Sequence, residues 1–278
     1  IINNSEKTYN FYPYGQIIRN TAPEVTNFYI LHEGLIGVFD EQLVEKDYDD
    51  IEDKKYSVNA SSGWTGITDK FWTAVIIPET GKEFRSDFEY KNKFKANFIE
   101  TKSLEIGANE TKNNIIKLVV AAKEVEIIDS YAETQNIDKF DLVIDWGWFY
   151  WLTKPFFFVL HYFFEKTGNY GIAIILATIG IRILFFPLAN YGFKSMAKMK
   201  VLQPEMTRLK ELHKDDKMKL QQEMMSLYKK EKVNPVSGCL PILIQIPFFF
   251  AIYKVLFVTI ESRHQPFFGW IVDLSDRD

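Results

Sequence analysis

The chain has 278 residues, and its formal net charge of −4 conceals two halves of opposite sign. Residues 1–147 carry 16 Lys and Arg against 26 Asp and Glu, whereas residues 148–278 carry 17 against 11. The single cysteine, Cys239, excludes an internal disulfide and a cysteine-based metal site. The four histidines are scattered along the chain, so we predict neither a bound metal nor a cofactor.

The first half of the chain alternates short runs of β-branched and aromatic residues with turn residues. This pattern predicts an antiparallel β-sandwich over residues 1–145. The predicted strands cover residues 26–31, 34–40, 55–60, 71–78, 88–100, 103–108 and 114–128. The negative charge of this half suits a domain on the outer, periplasmic side of a membrane. Because the chain has no initiator methionine, we expect this domain to be truncated at its amino terminus.

Residues 146–169 are strongly aromatic and are predicted to form an amphipathic helix that lies along the outer membrane surface. Trp and Tyr prefer the headgroup region of a bilayer, and Lys154 and Pro155 interrupt the apolar run. The alternative is a third membrane span that starts near Phe156. It is disfavoured because Phe156–Phe164 comprises nine residues before a charged break that contains glycine.

Two longer apolar runs, residues 170–188 and 239–259, are predicted to be transmembrane helices. Nineteen helical residues match the hydrocarbon core of a bilayer, which is about 30 Å thick. The first run is apolar except for Thr178 and Arg182, which share one helix face. A guanidinium inside a span costs about 2.5–3.5 kcal/mol on insertion scales and usually marks function.

Residues 189–238, between the two runs, are predicted to form a cytoplasmic helical hairpin. They carry 11 Lys and Arg against 6 Asp and Glu, which is a positive-inside signal. Asp215 or Asp216 is expected to cap the second arm, and Pro204 either kinks the first arm or begins a new helix. All six methionines lie here, where they suit either a surface for varied partners or the seam of a short coiled coil. The basic residues could bind lipid or ribosomal RNA, or only set the topology.

The second run contains polar and helix-breaking residues at membrane depth. Gln245 and Pro247 need partners from protein or water. Lys254 lies one to two turns from the outer end, where we expect it to snorkel towards the interface. Residues 260–278 are predicted to be a periplasmic connection. Two spans cannot readily enclose Arg182, so further spans are expected beyond this chain.

Four long motifs allow the family to be identified. They are GWTGITDKFW (63–72), FDLVIDWGWFYWLTKPFFFVLHYF (140–163), SMAKMKVLQPEM (195–206) and KVNPVSGCLPILIQIPFFFAIY (232–253). Nearly the whole chain resembles the YidC/Oxa/Alb family of membrane protein insertases in its Gram-negative bacterial form. The resemblance implies an α+β multidomain membrane protein, in which a periplasmic β-sandwich precedes a helical membrane domain with a cytoplasmic hairpin. It also implies that the first anchoring span and the last core spans are absent here.

The resemblance implies the substrate-binding residues as well. Arg182 matches the positive charge of the family's hydrophilic groove, and Ile246, Pro247 and Phe249 match positions that meet the substrate segment. Thr178 and Gln245 are added from their own polarity and position. Lys254 departs from the family pattern, since an uncharged aromatic residue is expected there.

The implied function is insertion and folding of inner-membrane proteins, alone or with the Sec translocon, without enzymatic activity. The expected partners are nascent membrane proteins, the ribosome, the Sec translocon, targeting factors and membrane lipids. The main alternative is a solute or ion transporter in which Arg182 is a selectivity charge. An envelope carbohydrate enzyme would need an acid/base pair, which no spacing in residues 1–147 picks out. A purely structural scaffold is disfavoured, because it would not explain why a charge is placed inside the membrane at a cost in free energy.

Overall fold

The computed structural model describes residues 1–23, 31–214, 216–231, 233, 238 and 240–275. The chain divides into two compact units. The first comprises Ile1–Tyr150 and Lys254–Arg263, and the second comprises Trp151–Tyr253 and His264–Asp278. The predicted strand over residues 26–31 falls almost wholly outside the described residues.

The first unit is the predicted antiparallel β-sandwich. Its strands are β1 (Tyr9–Phe11), β2 (Tyr14–Arg19), β3 (Gly34–Phe39), β4 (Gln42–Asp47), β5 (Tyr56–Ala60), β6 (Gly63–Thr68), β7 (Trp72–Ile77), β8 (Phe84–Tyr90), β9 (Phe94–Glu100), β10 (Leu104–Ile106) and β11 (Lys117–Ala122). One sheet has the order β11-β7-β6-β3-β4 and the other the order β2-β9-β8-β5, while β1 pairs with β10. A short helix, α1 (Tyr48–Asp53), follows β4.

The core between the two sheets follows from the alternation of side chains along the strands. On β9, Phe94, Ala96 and Phe98 are buried, and the residues between them are more accessible. Phe88 on β8 is fully buried and lies beside Phe39 of β3, with ring centroids 6.1 Å apart. Because alternate residues of a strand point to opposite faces, one aromatic face from each sheet fills the interior.

The five-stranded sheet is covered on its second face as well, which explains why β3 is buried along its whole length. The cover is formed by α2 (Val125–Thr134) and a 3₁₀ turn at Phe140–Val143. Trp64 on β6 meets the ring of Phe140 edge-on at 5.9 Å, and Trp64 Nε1 donates to the Asp138 carbonyl at 3.0 Å. A strand buried on both faces is apolar without alternation, as the sequence of β3 is.

The structure confirms several predicted strands and corrects two. The predictions over residues 34–40, 55–60 and 71–78 correspond to β3, β5 and β7. The single strand predicted over 88–100 is a hairpin, because Asn92 adopts a left-handed conformation (φ 60°) between β8 and β9. The strand predicted over 114–128 ends at Ala122, and its β-branched continuation forms the start of α2.

The second unit is helical. It contains α3 (Tyr150–Thr167), α4 (Tyr170–Leu212), α5 (Lys217–Lys230) and α6 (Leu240–Val258). Gly168 ends α3 in a left-handed conformation (φ 64°), and the Asn169 side chain caps α4 by accepting from the Ile172 amide at 3.1 Å. The predicted break after the aromatic run is therefore a helix boundary. Among the described residues, α4 and α6 are the two helices long and apolar enough to cross a membrane.

Helix α4 runs without interruption from the first apolar stretch into the first arm of the hairpin. It contains 43 residues, including Pro187 and Pro204, so Pro204 does not begin a new helix. Asp216 caps α5, and its carboxylate accepts from the Lys219 amide at 3.0 Å. The alternative cap, Asp215, lies outside the described residues. The hairpin arms meet where Tyr228 donates to Met206 Sδ at 3.9 Å.

The aromatic core is expected to dominate the stability of the sandwich. Replacing Phe88 by Ala leaves a cavity among buried rings, so we expect a loss of about 3–5 kcal/mol in the free energy of unfolding. Tyr14→Ala is the matched control, because Tyr14 is 68% exposed on β2. Its effect should stay within about 0.5 kcal/mol. Urea unfolding followed by the β-sheet circular dichroism signal measures both, and equal midpoints for the two variants would contradict this assignment of the core.

Candidate functional site

Helix α4 carries one charged side chain inside its apolar half. Arg182 is exposed, and its guanidinium makes no hydrogen bond or ion pair with any other residue that the structure describes. It lies twelve residues after the start of the helix, or about 18 Å along the axis at 1.5 Å per residue. Thr178 lies one turn earlier on the same face, and its hydroxyl donates to the Ile174 carbonyl at 2.7 Å. The Thr178 hydroxyl thus has its hydrogen-bond acceptor within the helix. The Arg182 guanidinium is the group of this face that is available to bind an anion.

The four predicted site residues on α6 are adjacent in sequence but differ in exposure. Gln245 is exposed, Ile246 is 43% exposed and Phe249 is 66% exposed, whereas Pro247 is half-buried within the helix. Proline has no amide hydrogen, so Pro247 leaves the carbonyl four residues before it without its helical donor. This stretch of α6 therefore presents a mainly apolar surface with one amide side chain and a local gap in its backbone hydrogen bonds.

Three contacts show that α4 and α6 lie antiparallel to each other. The rings of Phe185 and Phe248 meet edge-on, with centroids 4.7 Å apart. The ring of Phe267, which follows α6, lies against Gly171 near the start of α4. Near the other end, Met196 Cγ is 3.0 Å from where a Cβ of Gly238 would be. Residue numbers fall on one helix as they rise on the other, which is the arrangement expected of two successive spans.

This register separates the predicted site residues along the helix axis. Position 245 of α6 lies at the level of position 189 of α4, whereas Arg182 lies seven residues earlier. At 1.5 Å per residue, the backbone positions of Arg182 and Gln245 are about 10 Å apart along the axis. The structure therefore places the predicted residues on two neighbouring helices, but as a stripe and not as a compact cluster.

The chemistry of this stripe is that of binding. It offers a cation, an amide and apolar side chains. It has no nucleophile paired with a base, and no group of three metal-ligating side chains occurs among the described residues. A guanidinium with little water around it attracts carboxylates more strongly than one in bulk water does, because the local dielectric constant is lower. The arrangement offers a cation that could pair with an acidic group.

A second charged cluster, in the first unit, was missed by the sequence reasoning. Lys254 does not snorkel: it is buried, and its ammonium donates to Asp145 Oδ2 at 2.6 Å. The same oxygen accepts from the His32 amide at 2.8 Å, and Asp145 Oδ1 accepts from the Gly147 amide at 3.0 Å. The sequence offered one signal, a lysine within an apolar run. Its partner, Asp145, lies more than one hundred residues earlier in the chain.

Lys123 belongs to the same cluster. It is 1% exposed, and its ammonium donates to Thr68 Oγ1 at 3.1 Å. Burial lowers the pKa of Lys123 from 10.5 to about 8, while the nearby carboxylates of Asp145, Glu33 and Asp69 oppose this shift. The cluster therefore holds two buried ammonium groups near one shared carboxylate.

The buried amine of Lys123 should leave a signature in the pH dependence of stability. Its pKa is about 8 when folded and near 10.5 when unfolded, so the unfolded chain binds more protons between these values. The free energy of unfolding should therefore rise with pH across this window, by on the order of 3 kcal/mol from this group. Urea unfolding at several pH values, compared with Lys123→Met, measures the difference. Parallel pH profiles for the two proteins would contradict the prediction.

Comparison with known proteins covers the whole chain. A family model described as the YidC periplasmic domain matches residues 1–159, and one described as 60Kd inner membrane protein matches residues 162–278. A protein of Pelagibacter ubique is 66% identical over the full chain, which covers 50% of that relative. One of Nitrobacter hamburgensis is 47% identical over 96% of this chain and 46% of its own length. One of Rickettsia felis is 47% identical over the full chain and 51% of its own length.

All three relatives are named membrane protein insertase YidC. The chain spans about half the length of each of them. The boundary between the two family models falls within α3, near the change from the first unit to the second.

Proposed function

The chain belongs to the YidC family, and on this premise we propose that it forms part of an insertase that moves polar segments of new membrane proteins across the inner membrane. The observation that carries the proposal is Arg182, an exposed guanidinium in the apolar half of α4 without a partner among the described residues. A charge at this depth has a high free energy unless protein or water surrounds it, which indicates that the charge has a function.

The proposed mechanism is electrostatic capture without bond-making chemistry. Arg182 lies about 9 Å along the axis from the inner end of the apolar stretch, on the side where a chain emerging in the cytoplasm arrives. An acidic residue in a short polar tail is attracted to the guanidinium, which lowers the barrier for bringing that tail into the membrane. Thr178, one turn further out, continues the same face.

Release of the substrate follows from the apolar character of α6. Ile246 and Phe249 offer exposed apolar side chains to an incoming hydrophobic segment. Once that segment is longer than the contact surface, lipid solvates it better than the protein does, and it leaves sideways. Gln245 and the carbonyl freed by Pro247 supply polar groups along the path. No step requires a cofactor.

The remaining assignments concern location and partners. We propose that the sandwich is periplasmic, that α3 lies along the outer membrane surface, and that the hairpin of α4 and α5 is cytoplasmic. The hairpin carries an excess of basic residues, which supports this topology. In that position it would meet ribosomes, targeting factors or the Sec translocon, and α3 would contact membrane lipids.

The first test is site-specific photocrosslinking in the full-length protein. A photoreactive residue at Phe249 should crosslink to a ribosome-bound nascent membrane protein once its apolar segment has emerged. Tyr14, equally exposed but on the sandwich, is the control position and should give no crosslink. Absence of a crosslink from Phe249 in the folded protein would contradict the insertase assignment and favour the transporter alternative.

The second test concerns the charge itself. Arg182→Ala should abolish insertion of a strictly dependent substrate with an acidic tail, whereas Arg182→Lys should retain most of it, since the charge is kept. Arg85→Ala is the control, because Arg85 is an exposed arginine on β8 of the sandwich and is not among the residues proposed to bind substrate or partners. Insertion is measured by protease protection of the translocated tail. If Ala and Arg at position 182 insert the substrate equally, electrostatic capture is wrong.

A further inference from the structure

The last turn of α6 belongs to the sandwich unit. The division between the two units falls within this helix, so that residues up to Tyr253 belong to the second unit and residues from Lys254 belong to the first. Val255, Val258 and Thr259 are at most 1% exposed. By contrast, Ile246 and Phe249, one to two turns earlier, are exposed. The outer end of the predicted span is thus buried in protein.

A charged pair holds this turn. The Lys254 ammonium donates to Asp145 Oδ2 at 2.6 Å, and the two side chains are only 11% and 18% exposed. The carboxylate is itself fixed by the amides of His32 and Gly147, at 2.8 Å and 3.0 Å. Two of the three donors on this carboxylate are backbone amides, so its orientation does not depend on Lys254 alone.

The backbone next to Asp145 makes room for the lysine. Gly147 has φ 71°, which favours glycine, and a Cβ at this position would lie 3.3 Å from Lys254 Cε. Any larger residue would therefore be strained and would press on the lysine stem. The turn at Gly147 thus allows the Lys254 side chain to lie beside the Asp145 carboxylate.

Neighbouring contacts act on the same segment. Glu261 Oε1 accepts from the Val125 amide at the start of α2, at 2.8 Å. The Lys70 ammonium lies 3.9 Å from the centre of the Phe257 ring, and the Arg263 guanidinium lies 5.0 Å from that of Phe71. These contacts come from two parts of the sandwich unit, the segment Lys70–Phe71 and the start of α2, in addition to Asp145.

We propose that Asp145 and Lys254 form a buried clamp that fixes the outer end of α6, and that Lys254 is thereby a positioning residue for insertion. The second part of this proposal, the positioning role in insertion, rests on the proposed function. Position 254 is eight residues from Ile246, or about 12 Å along the helix. Because both positions lie in one continuous helix, we expect loosening of the outer turn to affect the substrate-facing part of α6.

The energetics of buried ion pairs make the clamp testable. Removing one partner leaves an uncompensated buried group, while removing both leaves a nearly neutral site. The two partners are not equivalent. In Lys254→Met the carboxylate keeps two amide donors, whereas Asp145→Asn removes the ion-pair partner of the buried Lys254 and one of the three carboxylates near Lys123.

The experiment is a double-mutant cycle in the full-length protein, read by hydrogen exchange at residues 255–259. Lys254→Met should speed exchange there by about tenfold, Asp145→Asn by more, and the double variant by less than Asp145→Asn alone. Peptides from β6 should stay protected in Lys254→Met, which shows that the sandwich is folded. Lys117→Met is the control and should change neither readout. Lys117 is a half-buried lysine on β11, and its ammonium donates to the Gln135 carbonyl at 2.9 Å.

The second readout is insertion of the acidic-tailed substrate in the same variants. The proposal requires that Lys254→Met reduce both insertion and the Phe249 crosslink, and that the double variant lose less of both than Asp145→Asn does. Exchange at 255–259 within about twofold of wild type in Lys254→Met would overturn the clamp. Faster exchange with unchanged insertion would overturn the positioning role. If the wild-type protein inserts nothing, the proposed function fails, and the exchange cycle still decides whether the clamp exists.

Discussion

The free energy of keeping a charge away from water is the constraint on which this structure depends most. A buried ion costs several kcal/mol unless a partner of opposite charge and further hydrogen bonds compensate it. In the sandwich unit the compensation is internal, because Asp145 serves Lys254 and lies near Lys123. On α4 the described residues provide none for Arg182, so its partner has to come from outside the described residues. Lys254 is therefore a structural charge, whereas Arg182 is available for binding.

The fold of the sandwich was predictable to the extent that local sequence patterns determine it. Alternating and continuous apolar runs located β3, β5 and β7, because these strands are bounded by clear turn residues. The pattern failed where two signals conflict. The stretch after β11 is rich in Val and Ile, which favour strands, yet Val125 and Ile128 recur at a helical interval and are buried together in α2. Tertiary packing favours the helix over the strand here, and a short stretch of sequence does not show that packing.

The helical unit was predictable at a coarser level. Composition alone located the start of α4 and both ends of α6 within one residue, because a bilayer demands about twenty apolar residues in a row. It did not reveal that the first stretch and the hairpin arm are one helix, since Pro187 and Pro204 argue locally for breaks. Nor did it give the register of α4 against α6. That register separates position 245 of α6 from position 182 of α4 by about seven residues along the helix axis, so the predicted site residues form a stripe.

Lys254 shows why charge near the end of a span cannot be interpreted from the helix alone. A lysine one to two turns from an interface ordinarily reaches towards water with its long stem, and that was the expectation here. The alternative needs an acceptor already fixed at the same level, and Asp145 meets this condition only because the His32 and Gly147 amides hold its carboxylate. Long-range pairing of this kind is a property of the folded sandwich. An aromatic residue at position 254 would fill space at the end of the helix, whereas a lysine makes the position of that end depend on one carboxylate of the sandwich unit.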